Sequence, residues 1–354
     1  MSPVSWLSYF LNFILPLLSW HIDSKKFKKY LLALILEDKY FSVRRFSKIT
    51  QEYTLEQFYY FLKTKINWYK LFVRLSKLVI LMFGRVGFYL VADGTALKQE
   101  YAGYRIAKHG HIYIKDRKHI PQNEMISIGL TNGTIYIPIL WDIWVSNKVC
   151  KKSDFKSKPE IFMNLLKKYL ILKIPVKTVM FDSFFTSKEI LKWLSDNKFE
   201  YTTRIKSNRT IFVNKKGCIL SKFGLKEDES IVGTLKGIKE PVKILMFYHK
   251  KEEVYACSNN ISLSNAELKA SYKSRWKVEV FHRESKQKLG LENFQVEDWQ
   301  KLVNHVGFVC LAYSLLTILQ QKFGGSVGDV KFNLQDEVYG ISSSVDTFEQ
   351  KLAS

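Results

Sequence analysis

Hydrophobic residues recur at helical spacing along the N-terminal part of the chain. Between residues 21 and 85, apolar side chains such as Phe27 and Tyr30 return every three or four positions, with lysines and arginines between them. This spacing predicts a series of short amphipathic helices. The apolar run over residues 5–20 contains Pro16 and is shorter than the roughly 18 to 20 residues of a membrane span, so it predicts a helix packed on the protein body.

The pattern then changes to that of buried strands. Residues 88–92 form a continuous apolar run that stops at Asp93, which is typical of a strand covered on both faces. Further along, two apolar segments, 125–131 and 134–141, flank the Asn132-Gly133 pair. Asn-Gly between two such segments is a strong signal of a β-hairpin.

Helices and strands alternate after the hairpin. Pro159 opens a helical stretch, and residues 176–181 form a second buried strand that ends at Asp182. A helix over 187–194 and a strand over 201–205 follow. The order predicts an α/β fold with a mixed sheet flanked by helices.

The last part of the chain shows three different sequence patterns. Residues 207–260 show short alternating runs broken by Gly and Asn, which predicts a β-rich insertion. Helical periodicity returns over 265–290 and continues over 301–323, where it is mostly apolar. Residues 324–354 form a weakly patterned tail.

The two strand-terminal acids are the first candidates for chemistry. Parallel buried strands present their carboxyl ends at the same edge of a sheet. We therefore expect Asp93 and Asp182 to converge on one point, although they are far apart in the sequence.

Composition and charge narrow the class of protein. The chain has 354 residues, of which 47% are hydrophobic, which excludes global disorder. Its net charge of +22 suggests a polyanionic partner, either nucleic acid or an anionic membrane surface. The dispersed cysteines form no CxxC pair, which is typical of reduced thiols in a cytoplasmic protein.

A polar stripe follows on the helix predicted over residues 265–290. At about 100° per residue, five polar side chains fall on one face while the apolar positions point away; they are Tyr272, Arg275, Glu279, Arg283 and Lys286. One acid among three cations suits a site where a carboxylate holds a metal and the cations hold phosphates. The alternative is an exposed helix with ordinary i,i+4 ion pairs.

The spacing within this stripe resembles a known signature. Tyr272, Arg275, Glu279 and Lys286 are separated by two, three and six residues, as in the YREK signature of bacterial insertion-sequence transposases of the DDE class.

The resemblance extends to the strand-terminal acids. Asp93-Gly94-Thr95 is similar to the first catalytic Asp of that group with its trailing Thr, and Asp182 is similar to the second. The interval before Glu279 leaves room for a β insertion, as in these transposases. The likeness covers residues 88 to about 295.

The resemblance implies a ribonuclease-H-like mixed sheet and two divalent ions, Mg2+ or Mn2+ in its place. Asp93 and Asp182 would anchor the ions, and Glu279 would complete the second site. Carboxylate oxygens are hard ligands that suit Mg2+. The same resemblance assigns the binding of phosphates near the cleaved end to Tyr272, Arg275 and Lys286. Arg283 lies outside the signature and is added because it shares the stripe.

The partners follow from the same resemblance. They are double-stranded DNA, at the terminal inverted repeats of the mobile element and at the target, and a second copy of the chain in a homodimer on DNA. A bacterial cytoplasmic, nucleoid-associated location and no membrane are expected. A basic stretch near Asp93 would track DNA phosphates, with the alternative that it is a solvated hairpin; its candidate residues are Lys108, Lys115 and Arg117.

Some relatives stack a flipped base on a Trp of the β insertion, but residues 207–260 contain none. Any aromatic face can stack a base, and four side chains remain open for this role: Phe212, Phe247, Tyr248 and Tyr255.

Three regions are expected. Residues 1–85 would form an N-terminal helical DNA-binding domain, and residues 86–323 the ribonuclease-H-like catalytic domain with its insertion at about 207–260. The tail over 324–354 would follow.

Other functions compete with Mg2+-dependent DNA cleavage and strand transfer. A PD-(D/E)xK-type nuclease would use Asp182 with Glu284 and Lys286, and it would need these last two residues on a strand. A catalytically inactive DNA-binding relic of a transposase is a second alternative. A membrane-surface protein is a third, and it would need residues 5–20 to face lipid.

Overall fold

The computed structural model describes residues 2–39, 41–84, 87–98, 109–113, 118–147, 150–249 and 251–339. Their architecture is mixed α/β, with one large sheet covered by helices. The predicted α/β class, with a mixed sheet flanked by helices, is confirmed.

Eleven described strands form the sheet. In space they follow the order β2-β3-β1-β5-β6-β11-β10-β9-β7-β8, and β4 pairs with β3. Their bounds are β1 (Tyr89–Lys98), β2 (His109–Tyr113), β3 (Lys118–Thr131), β4 (Tyr136–Trp144), β5 (Val179–Phe181), β6 (Tyr201–Ile205), β7 (Thr210–Val213), β8 (Lys216–Ile219), β9 (Ser230–Leu235), β10 (Pro241–His249) and β11 (Glu252–Ser258).

The described helices flank this sheet. They are α1 (Pro3–Ile14), α2 (Ser24–Leu36), α3 (Val43–Thr50), α4 (Leu55–Phe61), α5 (Trp68–Phe83), α6 (Lys158–Leu172), α7 (Lys188–Asp196), α8 (Asn265–Ser274), α9 (Trp276–Lys288), α10 (Trp299–Phe323) and α11 (Val327–Tyr339). Short 3-10 turns occupy Leu15–Leu17, Ser183–Phe185 and Leu220–Phe223.

Parallel and antiparallel pairing meet at β1. This strand is antiparallel to β3 and parallel to β5, and β5 is in turn parallel to β6. The expected hairpin at Asn132-Gly133 is present between β3 and β4. The predicted β-rich insertion is also present, and its strands β10 and β11 extend the sheet beyond β6.

The end predicted for β1 is wrong. The strand does not stop at Asp93 but continues to Lys98, because its pairing with β3 persists to the Lys98–Gln122 pair. Only the parallel ladder to β5 ends early, at the Ala92–Phe181 pair. Asp93 therefore follows the end of the parallel ladder while lying within its own strand.

The helix predicted over 265–290 is interrupted. It divides into α8 and α9 at Arg275. At this turn the Arg275 amide donates to the Tyr272 carbonyl at 3.2 Å, and the Val278 amide donates to the Arg275 carbonyl at 3.1 Å. Each of these bonds joins an amide to the carbonyl three residues earlier. The turn is therefore wound more tightly than an α-helix, in which the bond spans four residues. Periodicity alone does not reveal such a local turn.

The long apolar helix α10 forms the centre of the helical layer. Its length and composition would permit a membrane span, but 94% of its most apolar window is buried by the rest of the protein. It packs against α1, α2, α5, α9, α11 and β4. It is therefore a core helix of the fold.

Hydrogen bonds attach the N-terminal helices to α10. Asn304 of α10 accepts from the Trp68 indole at 2.9 Å and donates to the carbonyls of Leu62 and Thr64 at 2.8 and 2.7 Å. The Tyr30 hydroxyl lies 3.0 Å from Nδ1 of His305. The helices of residues 1–85 share one hydrophobic core with the sheet and α10.

The weakly patterned tail contains α11, which packs on α10 and α2. The buried Lys331 ammonium fixes it by donating to the carbonyls of Glu37 and Lys288 and by pairing with Asp38 at 3.3 Å. Burial lowers the pKa of Lys331 to about 8. Residues 340–354 lie outside the described part.

We predict that Asn304→Ala destabilises the protein by about 2–4 kcal/mol, because it leaves the Trp68 N–H and two carbonyls without their partner. Urea unfolding of the full chain measures the change. Gln321→Ala, on an exposed position of the same helix, serves as the control and should change stability by less than about 0.5 kcal/mol. Equal effects of the two substitutions would contradict this role of Asn304.

Candidate active site

Two acids lie side by side where the parallel ladder between β1 and β5 ends. The last pair of the parallel ladder between β1 and β5 is Ala92 with Phe181, so the next residues, Asp93 and Asp182, are neighbours. Adjacent strands lie about 4.8 Å apart, and matched positions on them project to the same face. The convergence expected from the sequence is present, although Asp93 does not end its strand.

Helices α8 and α9 cover the face that carries these acids. The Ser271 hydroxyl of α8 contacts Met180 and Thr202, which share the face of Asp182. In α9, His282 Nε2 lies 3.5 Å from the hydroxyl of Ser127, the residue of β3 paired with Asp93. Both helices are thus anchored directly beside the acids.

Arg275 connects the first and third predicted acids. Its Nη1 lies 3.3 Å from Oδ2 of Asp93, and its Nη2 lies 2.5 Å from Oε1 of Glu279. The other oxygen of Asp93 accepts from the Gly94 amide at 2.8 Å. Arg275 is only 9% exposed, whereas the side chains of Asp93 and Glu279 are partly exposed.

The pKa shift of Asp93 reflects the charges of the neighbouring acids. Burial raises the pKa of Asp93 to about 6; the Arg275 charge and the Gly94 amide oppose this shift, and the charges of Asp182 and Glu279 add to it. Burial alone would lower the pKa of Arg275, but its anionic neighbours raise it above the usual value. Three acids and one guanidinium form a single electrostatic cluster.

The donor set fits a divalent ion by its chemistry. Carboxylate oxygens are the ligands that Mg2+ prefers, and Asp93 and Asp182 lie side by side on one face. However, no group of three or more His, Cys, Asp or Glu among the described residues has an arrangement that could hold a metal ion. Near Asp93, the Arg275 guanidinium donates hydrogen bonds to oxygens of Asp93 and Glu279.

A cavity of about 580 Å³ opens beside Glu279. Its lining carries cationic and aromatic side chains together with two acids: Arg204, His249, Glu252, Val254, Tyr272, Lys273, Arg275, Trp276 and Glu279. Arg204 follows the Phe181–Thr203 pair on β6, next to Asp182. The cavity can therefore accept an anionic group close to the acids.

Two members of the predicted polar stripe do not face outward. Tyr272 is buried with its ring edge-on to Phe247, at 5.6 Å between centroids. The Arg275 guanidinium lies 5.6 Å from the Tyr272 ring. A stripe whose apolar neighbours point away from it is expected to face outward, but the Arg275 side chain, at the turn between the two helices, bonds to Asp93 of the sheet.

The remaining stripe cations differ in their surroundings. Lys286 Nζ forms an ion pair with Oε1 of Glu292 at 2.8 Å, whereas Arg283 is exposed. The other predicted DNA-binding residues, Lys108, Lys115 and Arg117, lie outside the described residues.

The four aromatic candidates of the insertion are not equally accessible. Phe247 and Tyr255 are buried, Phe212 is half-buried, and Tyr248 is 47% exposed. Sequence reasoning did not select Trp276, which is exposed and lines the cavity. The signal was available, since Trp276 directly follows Arg275 in the signature.

His282 was also missed. Burial, with the nearby Lys286 and Arg275 charges, lowers its pKa to about 3, so the ring is neutral near pH 7. Its contact with Ser127 supports the strand segment behind Asp93. No pattern in the sequence distinguishes this histidine from a surface one.

The nuclease alternative loses its geometric basis. It needs Glu284 and Lys286 on a strand beside Asp182, but both lie on α9. Glu284 is buried and pairs with Lys288 at 3.5 Å. Burial raises the pKa of Tyr313 of α10, and Glu284 adds to this shift. The required constellation is absent from this described segment.

Comparison with known proteins adds one match. The family model described as "Archaeal putative transposase ISC1217" matches residues 115–329, more than half of the chain. This range includes Asp182 and Glu279 and begins after Asp93. A search of curated proteins found no match.

We predict a pH-dependent stability difference between the wild type and Asp93→Asn. The pKa of Asp93 is raised from 3.8 to about 6, so the charged carboxylate destabilises the folded state above pH 6. This cost disappears as the pH falls through about 6 toward 4 and is absent from the neutral variant. The advantage of Asp93→Asn should therefore be greater near pH 7.5 than near pH 4.5, by about 2 kcal/mol.

Urea unfolding in the presence of EDTA measures this difference, because the chelator removes bound divalent ions. A difference that does not change with pH, or that grows toward acid, would contradict the burial of a charged Asp93.

Proposed function

The chain belongs to the DDE transposase family whose model it matches over residues 115–329, and from that membership we propose that it catalyses Mg2+-dependent cleavage and strand transfer of DNA at the ends of an insertion sequence. The supporting observation is the cluster of Asp93, Asp182 and Glu279 around Arg275. The family name supports the resemblance to transposases. Because the name refers to an archaeal family, it does not test the resemblance to bacterial insertion-sequence transposases.

The strand order supports a ribonuclease-H-like core. In the sequence β4-β3-β1-β5-β6, the first three strands are antiparallel and the last three are parallel. Helices α8 and α9 bring Glu279 to the face of Asp93 and Asp182. The topology thus provides a reason why acids remote in the sequence would act together.

We assign metal binding to Asp93, Asp182 and Glu279. Two Mg2+ ions, or Mn2+ in their place, would supply activation of a water or 3′-hydroxyl and stabilisation of the leaving oxygen during in-line displacement. The protein contributes rigid positions for the acids: β1 holds Asp93 through the Gly94 amide, and α9 carries Glu279.

We assign DNA phosphates near the cleaved end to Tyr272, Arg275 and Lys286, with Arg283 as an additional exposed cation. The cavity beside Glu279 supports this assignment because Arg204 and Lys273 also line it. The excess of positive charge supports wider contact with the DNA backbone.

Other parts of the protein receive further roles in this proposal. The helices of residues 1–85 would bind the terminal repeats, and the basic residues Lys108, Lys115 and Arg117 would track phosphates. A homodimer would hold two paired ends. The site of action would be the cytoplasm, at the nucleoid.

We predict that Asp93→Ala, Asp182→Ala and Glu279→Ala each reduce cleavage by about a thousand-fold or more, since each removes a metal ligand worth several kcal/mol. Cleavage is measured with Mg2+ on duplexes containing the DNA ends that border the gene, and binding by gel shift. End binding should remain largely intact.

Asp196→Ala removes an exposed carboxylate from the end of α7 and should cleave like the wild type. Wild-type cleavage by one of the three site variants would remove that residue from the metal site. An inactive wild type that still binds the ends would favour the DNA-binding relic.

A further inference from the structure

We propose that Arg275 couples metal binding to DNA binding. Its guanidinium bonds to carboxylate oxygens that a divalent ion needs, and a DNA phosphate would draw it away so that the ion can bind. This inference rests on the proposed function and adds to it an order of events: DNA engages first, and the metal site forms second.

The guanidinium of Arg275 lies between two of the proposed metal ligands. One nitrogen of the guanidinium bonds to Asp93 and another bonds to Glu279. A carboxylate oxygen that accepts a short charge-assisted hydrogen bond is less available to a metal ion. The positive charge of Arg275 also opposes the approach of a divalent cation to the same oxygens.

A second observation is independent of these ion pairs. The Nε of Arg275 is buried and has no hydrogen-bond partner. A guanidinium has five N–H donors in a planar fork, and two parallel bonds to a phosphate use this geometry well. This arrangement leaves the Nε–H donor of Arg275 unsatisfied, and a phosphate oxygen could accept a hydrogen bond from it.

The surroundings of Arg275 give a phosphate access. Arg275 lines the cavity beside Glu279, together with the cations Arg204 and Lys273. The Arg275 guanidinium lies 5.6 Å from the centre of the Tyr272 ring, within the range of a cation–π contact. The position of Arg275 at the turn between α8 and α9 places its side chain between the acids and this cavity.

Thermodynamic linkage then gives a reciprocal effect. If DNA removes Arg275 from the acids and thereby tightens metal binding, the metal must tighten DNA binding by the same factor. The free protein would hold its metal weakly and would not cleave DNA that fails to engage Arg275. Arg275 would act as a positioning residue for the acids before it becomes a phosphate ligand.

The test measures Mn2+ affinity by electron paramagnetic resonance at constant pH, with the full chain and no activity assay. We compare the wild type and Arg275→Gln, each with and without duplex DNA that carries the element's end. Binding by the Asp182→Asn protein under the same conditions is subtracted, because DNA itself binds Mn2+. Lys277→Gln removes the same charge from the same helix region and serves as the matched control.

We expect DNA to tighten Mn2+ binding by the wild type about ten-fold or more, a typical allosteric coupling. Arg275→Gln without DNA should bind Mn2+ about ten-fold more tightly than the free wild type, and DNA should add less than about two-fold. Lys277→Gln should behave like the wild type.

Two failures can be told apart. If Asp182-dependent Mn2+ binding occurs in the wild type with DNA but Arg275→Gln binds Mn2+ no more tightly than the free wild type, the coupling role is overturned and the proposed function stands. If no Asp182-dependent binding occurs under any condition, both are overturned. Should Arg275→Gln fail to fold, equal Mn2+ affinities of the wild type with and without DNA overturn the coupling.

Discussion

Strand pairing brings like charges together, and the arrangement of the site depends on a cation that compensates them. Asp93 and Asp182 follow the last pair of a parallel ladder, and Glu279 approaches from a helix that packs on the same face. Carboxylates this close and this buried favour a cation between them. Arg275 supplies that charge here, and this explains why a nearly buried guanidinium lies at the centre of the site.

The rest of the fold holds this cluster in place. The apolar side of α9 packs through Phe281, whose ring stacks on Tyr136 at 5.1 Å and meets Tyr313 at 4.8 Å. The buried helix α10 lies behind it. Asn304 and His305 of this helix bond to the N-terminal helices, and α10 packs on β4 of the sheet. The charged groups thus lie on packed strands and helices or directly at their ends.

Much of this arrangement could be predicted from the sequence. Continuous apolar runs identified the strands before Asp93 and Asp182, and the Asn132-Gly133 pair identified the hairpin, because these patterns report local burial and turn chemistry. The spacing of the signature brought Glu279 into the same hypothesis. The family match supports the transposase assignment that followed.

The features that could not be predicted arise from tertiary contacts. Pairing with β3 extends β1 beyond Asp93, and no local signal marks that extension. The turn at Arg275 reverses the expected exposure of Tyr272 and Arg275, since a periodic pattern assumes a straight helix. Likewise, α11 is fixed by the buried Lys331, whose partners Glu37 and Asp38 are distant in the sequence.

A crystal structure of the protein with end DNA and Mn2+, in which anomalous scattering locates the ions, would show whether Asp93 and Asp182 hold the metal. We expect a Mn2+ peak within bonding distance of both Asp93 and Asp182, with Arg275 hydrogen-bonded to a DNA phosphate. A Mn2+ peak remote from these acids, with Arg275 still bound to Asp93 and Glu279, would contradict it.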